Sequence, residues 1–405
     1  MSAGDPRRVL ALLAVAVLLA MAPWFSAAAV APALVRAWSL SANGAAWLTI
    51  SVQLGFVAGA LASAVLTLAD RWSARRLVAV SAALAGAATL GVALAPGPVA
   101  GLTFRFLTGA ALAGVYPPGM KIAAGWFREG RGLAIGILVG ALTLGSAAPH
   151  LVRWAVPAEA WRAVLGIATG SAFSGALLTL AIPHDGPYVA PSPPFTWSAV
   201  PRLLRDRAIA LANFGYLGHM WELYAMWTWT AAFVMASERA RRGADVDAAP
   251  LAAFVTFAVV GSGALGCWLG GKYADRWGRT LVTSVAMAVS GGCALVVGLF
   301  FGGPLWALVP LLLVWGVAVV ADSAQFSTAI SELAPPQYVG TALTLQTCLG
   351  FLLTCATIYM LPHVASAMGW RWSVVWLAPG PALGVWAMLA LRRRPEAVRL
   401  AGGRR

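Results

Sequence analysis

The sequence predicts an all-α polytopic membrane protein of twelve transmembrane helices, arranged as two six-helix bundles built on one plan. Three observations carry this. Of 405 residues, 60% are hydrophobic and only 10% charged, against about 25% charged in ordinary soluble domains. Continuous apolar runs long enough to cross a bilayer recur along the whole chain. A proline-rich connection falls near the midpoint, and a short charged sequence recurs at equivalent places on either side of it. A β-barrel is excluded, because its strands would alternate polar and apolar residues, whereas these runs are unbroken.

Turn signals, charges and apolar runs place the helices at 8–35, 44–68, 76–95, 98–120, 131–155, 161–182, 208–236, 250–272, 280–302, 304–330, 338–362 and 371–392. The first begins just after Arg7 and Arg8, which imitates a signal peptide. The run from Val9 to Val35 is nonetheless long enough to span, and its small residues lie inside it, so it reads as a retained helix. Pro96-Gly97-Pro98, Gly302-Gly303-Pro304 and Pro335-Pro336 mark three short turns. The longest connection, 183–207, reads PHDGPYVAPSPPFTWSAVPRLLRDR and separates six helices from six. The expected organisation is therefore a first bundle over 1–182, a linker over 183–207 on the cytoplasmic side, and a second bundle over 208–405 with a short basic tail.

The net charge of +14 would suit a nucleic-acid binder if it were clustered on a soluble face. Its positions argue otherwise. With the N-terminus inside and the spans alternating, 20 of the 28 basic residues fall on the cytoplasmic side, seven fall outside, and Arg105 lies within a helix. This is the positive-inside bias of an inner-membrane protein with both termini cytoplasmic. The partner expected from this charge pattern is the lipid bilayer, with no nucleic acid, and the protein is expected to be a monomer. The four cysteines, Cys267, Cys293, Cys348 and Cys355, all lie in apolar segments without CxxC spacing. They read as small packing residues, and no metal or cofactor is expected.

The repeat is ADRWSARRL from Ala69 and ADRWGRTL from Ala274. Each copy follows the second helix of its half and precedes the third. Parallel six-helix repeats are an architecture of secondary transporters. At these residues the chain resembles the major facilitator superfamily, whose loop between helices 2 and 3 reads G-x-x-x-D-[RK]-x-G-R-R. The second copy matches at Gly271, Asp275, Arg276, Gly278 and Arg279. The first keeps Asp70 and Arg71 but has Leu66 in place of the glycine, and it is one residue longer before Arg75 and Arg76. Each aspartate can cap a neighbouring helix and pair with an arginine, so Asp70, Arg71, Asp275, Arg276 and Arg279 are candidates for a latch between the halves. The resemblance also implies a central cavity lined by helices 1, 4, 7 and 10.

Three charges lie deep within predicted helices: Arg105 on helix 4, Glu222 on helix 7 and Asp322 on helix 10. Intramembrane charges are costly and mark functional pathways. Counted along straight helices, Arg105 and Glu222 both lie about 10 Å below the outer face, whereas Asp322 lies near the inner face. An Arg105–Glu222 pair across the halves is therefore possible. Gly215, Gly218, His219, Glu222, Met226 and Trp229 form one stripe on helix 7. Its glycines permit close helix approach, and the stripe would turn His219 and Glu222 to the cavity. Arg105 and Tyr116 share a face of helix 4, and Asp322 and Gln325 share one of helix 10. Arg105, Glu222, His219, Asp322, Tyr116, Gln325 and Trp229 are thus the candidate solute and proton residues. The run RFLTGAALA further resembles the superfamily's helix-4 pattern R-x-x-Q-G, with Thr108 where glutamine is usual. In proton-coupled members that arginine is linked to proton transfer.

Within this resemblance the reading is a proton-coupled secondary transporter working by alternating access. It would take up a small organic anion, with Arg105 on the anion and Glu222 carrying the proton. Residues 125–137, GWFREGRGLAIGI, are similar to the helix 4–5 loop of anion importers. The alternative is a drug–proton antiporter, against which stands the lack of a Gly-Pro dipeptide in GILVGALTLGSAAPHL. A transporter-like receptor or an intramembrane enzyme is a more distant reading. His219 with Glu222 has metal-site spacing, but no second ligand pair accompanies it.

Overall fold

A computed structural model describes residues 4–189 and 195–404 of the chain. The long helices are α1 (Pro6–Ala29), α2 (Ala42–Val65), α3 (Ala74–Leu94), α4 (Pro98–Trp126), α5 (Arg131–Ala155), α6 (Trp161–Leu180), α7 (Arg207–Arg242), α8 (Ala249–Trp277), α9 (Arg279–Val296), α10 (Leu305–Leu333), α11 (Val339–Met368) and α12 (Trp370–Arg392). Among the described residues, eleven helices are long and apolar enough to cross a membrane. The long helix outside that set is α7. It has ample length, 36 residues, or about 54 Å, so its polar content sets it apart. The chain is a multi-pass membrane protein.

The packing repeats in the two halves. In the first, α2 packs on α4, α3 on α6, and α1 on α5 and α6; in the second, α8 packs on α10, α9 on α12, and α7 on α11 and α12. Between the halves the main contacts are α5 with α8 and α2 with α11. Each half thus offers its second helix to the other's fifth, as a two-fold arrangement requires. Lipid supplies no hydrophobic drive for helices to associate, so close approach depends on small residues. Gly55 and Gly109 bring α2 against α4, and Gly266 and Gly316 do the same for α8 and α10. A Cβ at any of the four would strike backbone of the facing helix.

Four spans are interrupted: α12 gives way to a 3₁₀ turn at Val374–Leu377 and to Ala378, just ahead of Pro379, and of the other three breaks two are also written in the sequence. In α1 the helix interrupts at Ala22, before Pro23, which has no N–H and whose ring crowds the preceding turn. In α4 the interruption covers Ala113–Val115, ahead of Pro117 and Pro118. The third, in α10, falls at Asp322, between helices Leu305–Ala321 and Ser323–Leu333. No proline or glycine adjoins it.

Candidate functional site

Arg105 is wholly buried. Its Nε donates to Leu48 O on α2 at 3.0 Å, Nη1 to Pro23 O at 2.8 Å and Nη2 to Trp24 O at 2.5 Å, both on α1 just past the break. The guanidinium therefore ties three helices of the first half. The expected Arg105–Glu222 pair does not form in this structure, because every nitrogen of Arg105 is committed to a backbone carbonyl.

Glu222 is engaged elsewhere. Trp315 Nε1 on α10 donates to its Oε1 at 2.7 Å, and Ser290 Oγ on α9 donates to its Oε2 at 2.8 Å. One turn away, His219 Nδ1 lies 2.9 Å from Asp322 Oδ1 at the break of α10, with both side chains buried. The approach is close but off the hydrogen-bonding axis. Oδ1, like His219 Nε2, is left without an aligned partner. Depth counted along straight helices had put Asp322 near the inner face, well below His219; the contact puts them level. Helix tilt, and exposed turns such as that at Trp306, spoil such counting. The glycines do permit close approach, but within the second half: a Cβ on Gly218 would meet backbone of Gly380 and Gly384 on α12. The stripe thus turns His219 and Glu222 into the second half's own core, against α9 and α10, rather than toward the first half.

What α7 shows to the first half is aromatic. Tyr224 lies 5.8 Å from Trp24 and 6.2 Å from Phe25, centroid to centroid, and Trp227 lies 5.8 Å from Phe25. Phe351 of α11 joins this layer, 4.4 Å from Phe56 of α2 and 5.7 Å from Trp24. Around it sit buried polar atoms without a protein hydrogen-bond partner: Trp24 Nε1, Trp227 Nε1, Thr49 Oγ1 and both amide atoms of Gln53. Thr49, Gln53 and Phe56 follow one another at spacings of four and three, so they share a face of α2. Tyr116 stands just past the break of α4, partly buried against the core. Trp229 donates to Ile358 O at 3.0 Å within the second half.

The loop charges form a separate cluster. Arg279 is bidentate to Glu332, at 2.8 and 2.7 Å, and its Nη1 donates to Gln325 Oε1 at 2.9 Å. The Gln325 side chain therefore belongs to this cluster, while its backbone N–H donates to Asp322 O at 2.8 Å. Asp275 approaches Arg279 at 3.6 Å. A Cβ on Gly132 would lie 2.9 Å from Asp275 Oδ2, which sets the carboxylate over the first turn of α5, in the other half. Arg276 and Arg71 are exposed; the side chain of Asp70 lies outside the described residues.

The family model for the Major Facilitator Superfamily matches residues 13–358. The chain belongs to that superfamily. Solved superfamily structures have the same fold. A bacterial homologue of the human lysosomal transporter Spinster, inward-facing and unoccupied, shares 16% identity over 98% of this chain and 100% of its own, with a TM-score of 0.73. The proton:xylose symporter XylE, bound to 6-bromo-6-deoxy-D-glucose, shares 13% over 95% and 94%, with a TM-score of 0.71. The nucleoside transporter NupG shares 17% over 95% and 99%, with a TM-score of 0.70. No curated protein sequence matches this chain. As a superfamily member the chain is a transporter and not an enzyme.

Sequence reasoning missed Ser290 and Glu332, partners of Glu222 and Arg279; it placed Trp315 on one face of helix 10 with Asp322 and Gln325 but did not connect it to Glu222. It also missed Trp24, Thr49 and Gln53 at the seam. A signal for the seam was present: Thr49 and Gln53 stand at i and i+4, and between Ala45 and Ala62 only Ser51 is polar besides them.

Proposed function

We propose that the protein is a proton-coupled symporter for a small, uncharged, ring-bearing solute. One observation carries the reading: the buried carboxylates and imidazole of α7 and α10 are set apart from the seam. His219, Glu222 and Asp322 lie together inside the second half, where a proton can be held without touching solute. The seam offers aromatic faces together with neutral donors and acceptors that lack protein partners. Rings stack on the first, and hydroxyl or amide groups of a solute satisfy the second. An organic anion would need Arg105 to give up three carbonyls in exchange for it; an uncharged solute asks nothing of Arg105.

In this reading the halves, 1–182 and 208–405, rock about the seam, and the Asp275 carboxylate at the start of α5 latches one conformation. The charge bias supports an inner membrane location, with both termini and the linker cytoplasmic. Proton flow inward then drives uptake.

The test is transport in vesicles holding a pH-sensitive dye. Nucleosides and other neutral ring compounds should acidify the lumen as they enter, and aromatic carboxylates should not. Glu222→Gln should still bind solute but move no protons with it. Acidification by the carboxylates alone would overturn the solute class, and full coupling in Glu222→Gln would overturn the proton assignment.

A further inference from the structure

Outside the seam, the structure holds a groove of about 820 Å³ between α3 and α6. Its floor is small and apolar, with Ala79 and Ala83 from α3, and its outer wall is Leu177 from α6, which is 70% exposed. Its mouth holds Arg71 and Arg76, both exposed. Ser73 also lines the mouth, and its Oγ is buried without a partner. That hydroxyl would ordinarily cap α3. Here Asp185 takes the role, accepting from Ala74 N at 2.6 Å and Arg75 N at 3.0 Å. Arg75 is also spent, donating to Ile182 O at 2.7 Å.

We propose that this groove holds an anionic phospholipid of the leaflet at the linker end. The phosphate would sit between Arg71 and Arg76 with Ser73 Oγ donating to it, and an acyl chain would run along the α3–α6 floor. Three features fit together. The groove is apolar along its length and open to the bilayer. Its two cations stand at the helix ends, where headgroup phosphates lie. Basic pockets between transmembrane helices on the cytoplasmic side are recognised anionic-lipid sites. A solute pathway would run between the halves, whereas this groove is confined to the first half and turned outward.

The experiment is native mass spectrometry of the full-length protein with phosphatidylglycerol and phosphatidylcholine of identical acyl chains. The wild type should retain phosphatidylglycerol about tenfold or more over phosphatidylcholine. Arg71→Gln with Arg76→Gln should abolish that preference. Arg202→Gln with Arg205→Gln, the same charge change elsewhere at that end, should preserve it. Ala83→Phe fills the floor while leaving both arginines, and should reduce retention of phosphatidylglycerol. A thermal melt alongside identifies any variant that is misfolded rather than lipid-free. Equal retention of the two lipids by the wild type, an undiminished preference in the Arg71/Arg76 variant, or unchanged retention in a folded Ala83→Phe variant would each overturn the proposal.

Discussion

At Arg105 the guanidinium gives three nitrogens to three carbonyls of two neighbouring helices. Its planar fork can reach all three at once; a lysine ammonium on a single stem cannot. Arg105→Lys should therefore cost about 2–4 kcal/mol, because buried acceptors lose their donor and no water replaces it. A thermal melt in detergent reads this, and a midpoint unchanged from wild type would show that the carbonyls find other partners. The same residue shows how far sequence reaches. Its place inside an apolar helix was legible, while the break at Pro23, though marked by a proline, falls inside a run that reads as one helix over 8–35. That this arginine would serve that break was not legible, because the distance between helices 1 and 4 is set by packing. Glu222 repeats the lesson. The sequence marked the acid, while Ser290 and Trp315, its partners, look like ordinary helix residues until the fold brings them to it.

Among the elements, α7 and α2 show what single small residues decide. Gly218 lets α7 lie against α12 at Gly380 and Gly384, whereas Gly170 on α6 has nothing within 4 Å of an added Cβ. Gly218→Val should cost about 1–3 kcal/mol by forcing the helices apart, while Gly170→Val should stay within about 0.5 kcal/mol of wild type. Equal melting temperatures for the two would refute this account of α7. The two copies of the repeat diverge for a related reason. At Gly271 the second copy packs α8 on Gly132 and Gly136 of α5, and the helix runs straight through its Ala-Asp-Arg-Trp to Gly278, whose φ of +89° suits glycine. The first copy has Leu66 there, half-exposed, and its helix ends with Thr67 in the left-handed region at φ +51°. The sequence marked the first copy as degraded; the structure shows the bend that goes with it.

For the whole molecule, the seam is where the two halves meet, and the proposed rocking of the halves depends on it. Phe351 lies at its centre, against Phe56, Trp24 and Tyr224. Cys348, one turn earlier on α11, is part-buried with its sulfur 4.0 Å from Val57 O of α2. Phe351→Ala removes several kcal/mol of ring contact and should raise the rate at which maleimide reacts with Cys348 about tenfold, measured with Cys355 replaced by serine. An unchanged rate would mean that the aromatic layer does not hold the halves closed.

The sequence by itself determined the class of the molecule: membrane-spanning, helical, twofold in plan, and related to the major facilitator superfamily through the Gly271–Arg279 motif. These follow from composition, run length and repetition, which are properties of the chain in one dimension. It also located the deep charges, since burying a charge in lipid is costly enough to be noticed wherever it occurs. Only the tertiary structure decided how those charges are spent. Arg105 goes to carbonyls, Glu222 to Ser290 and Trp315, His219 to Asp322, and Gln325 to Arg279. A polar side chain a few ångströms long chooses among groups supplied by other helices, and the breaks, tilts and glycine contacts that set those distances act between segments far apart in sequence.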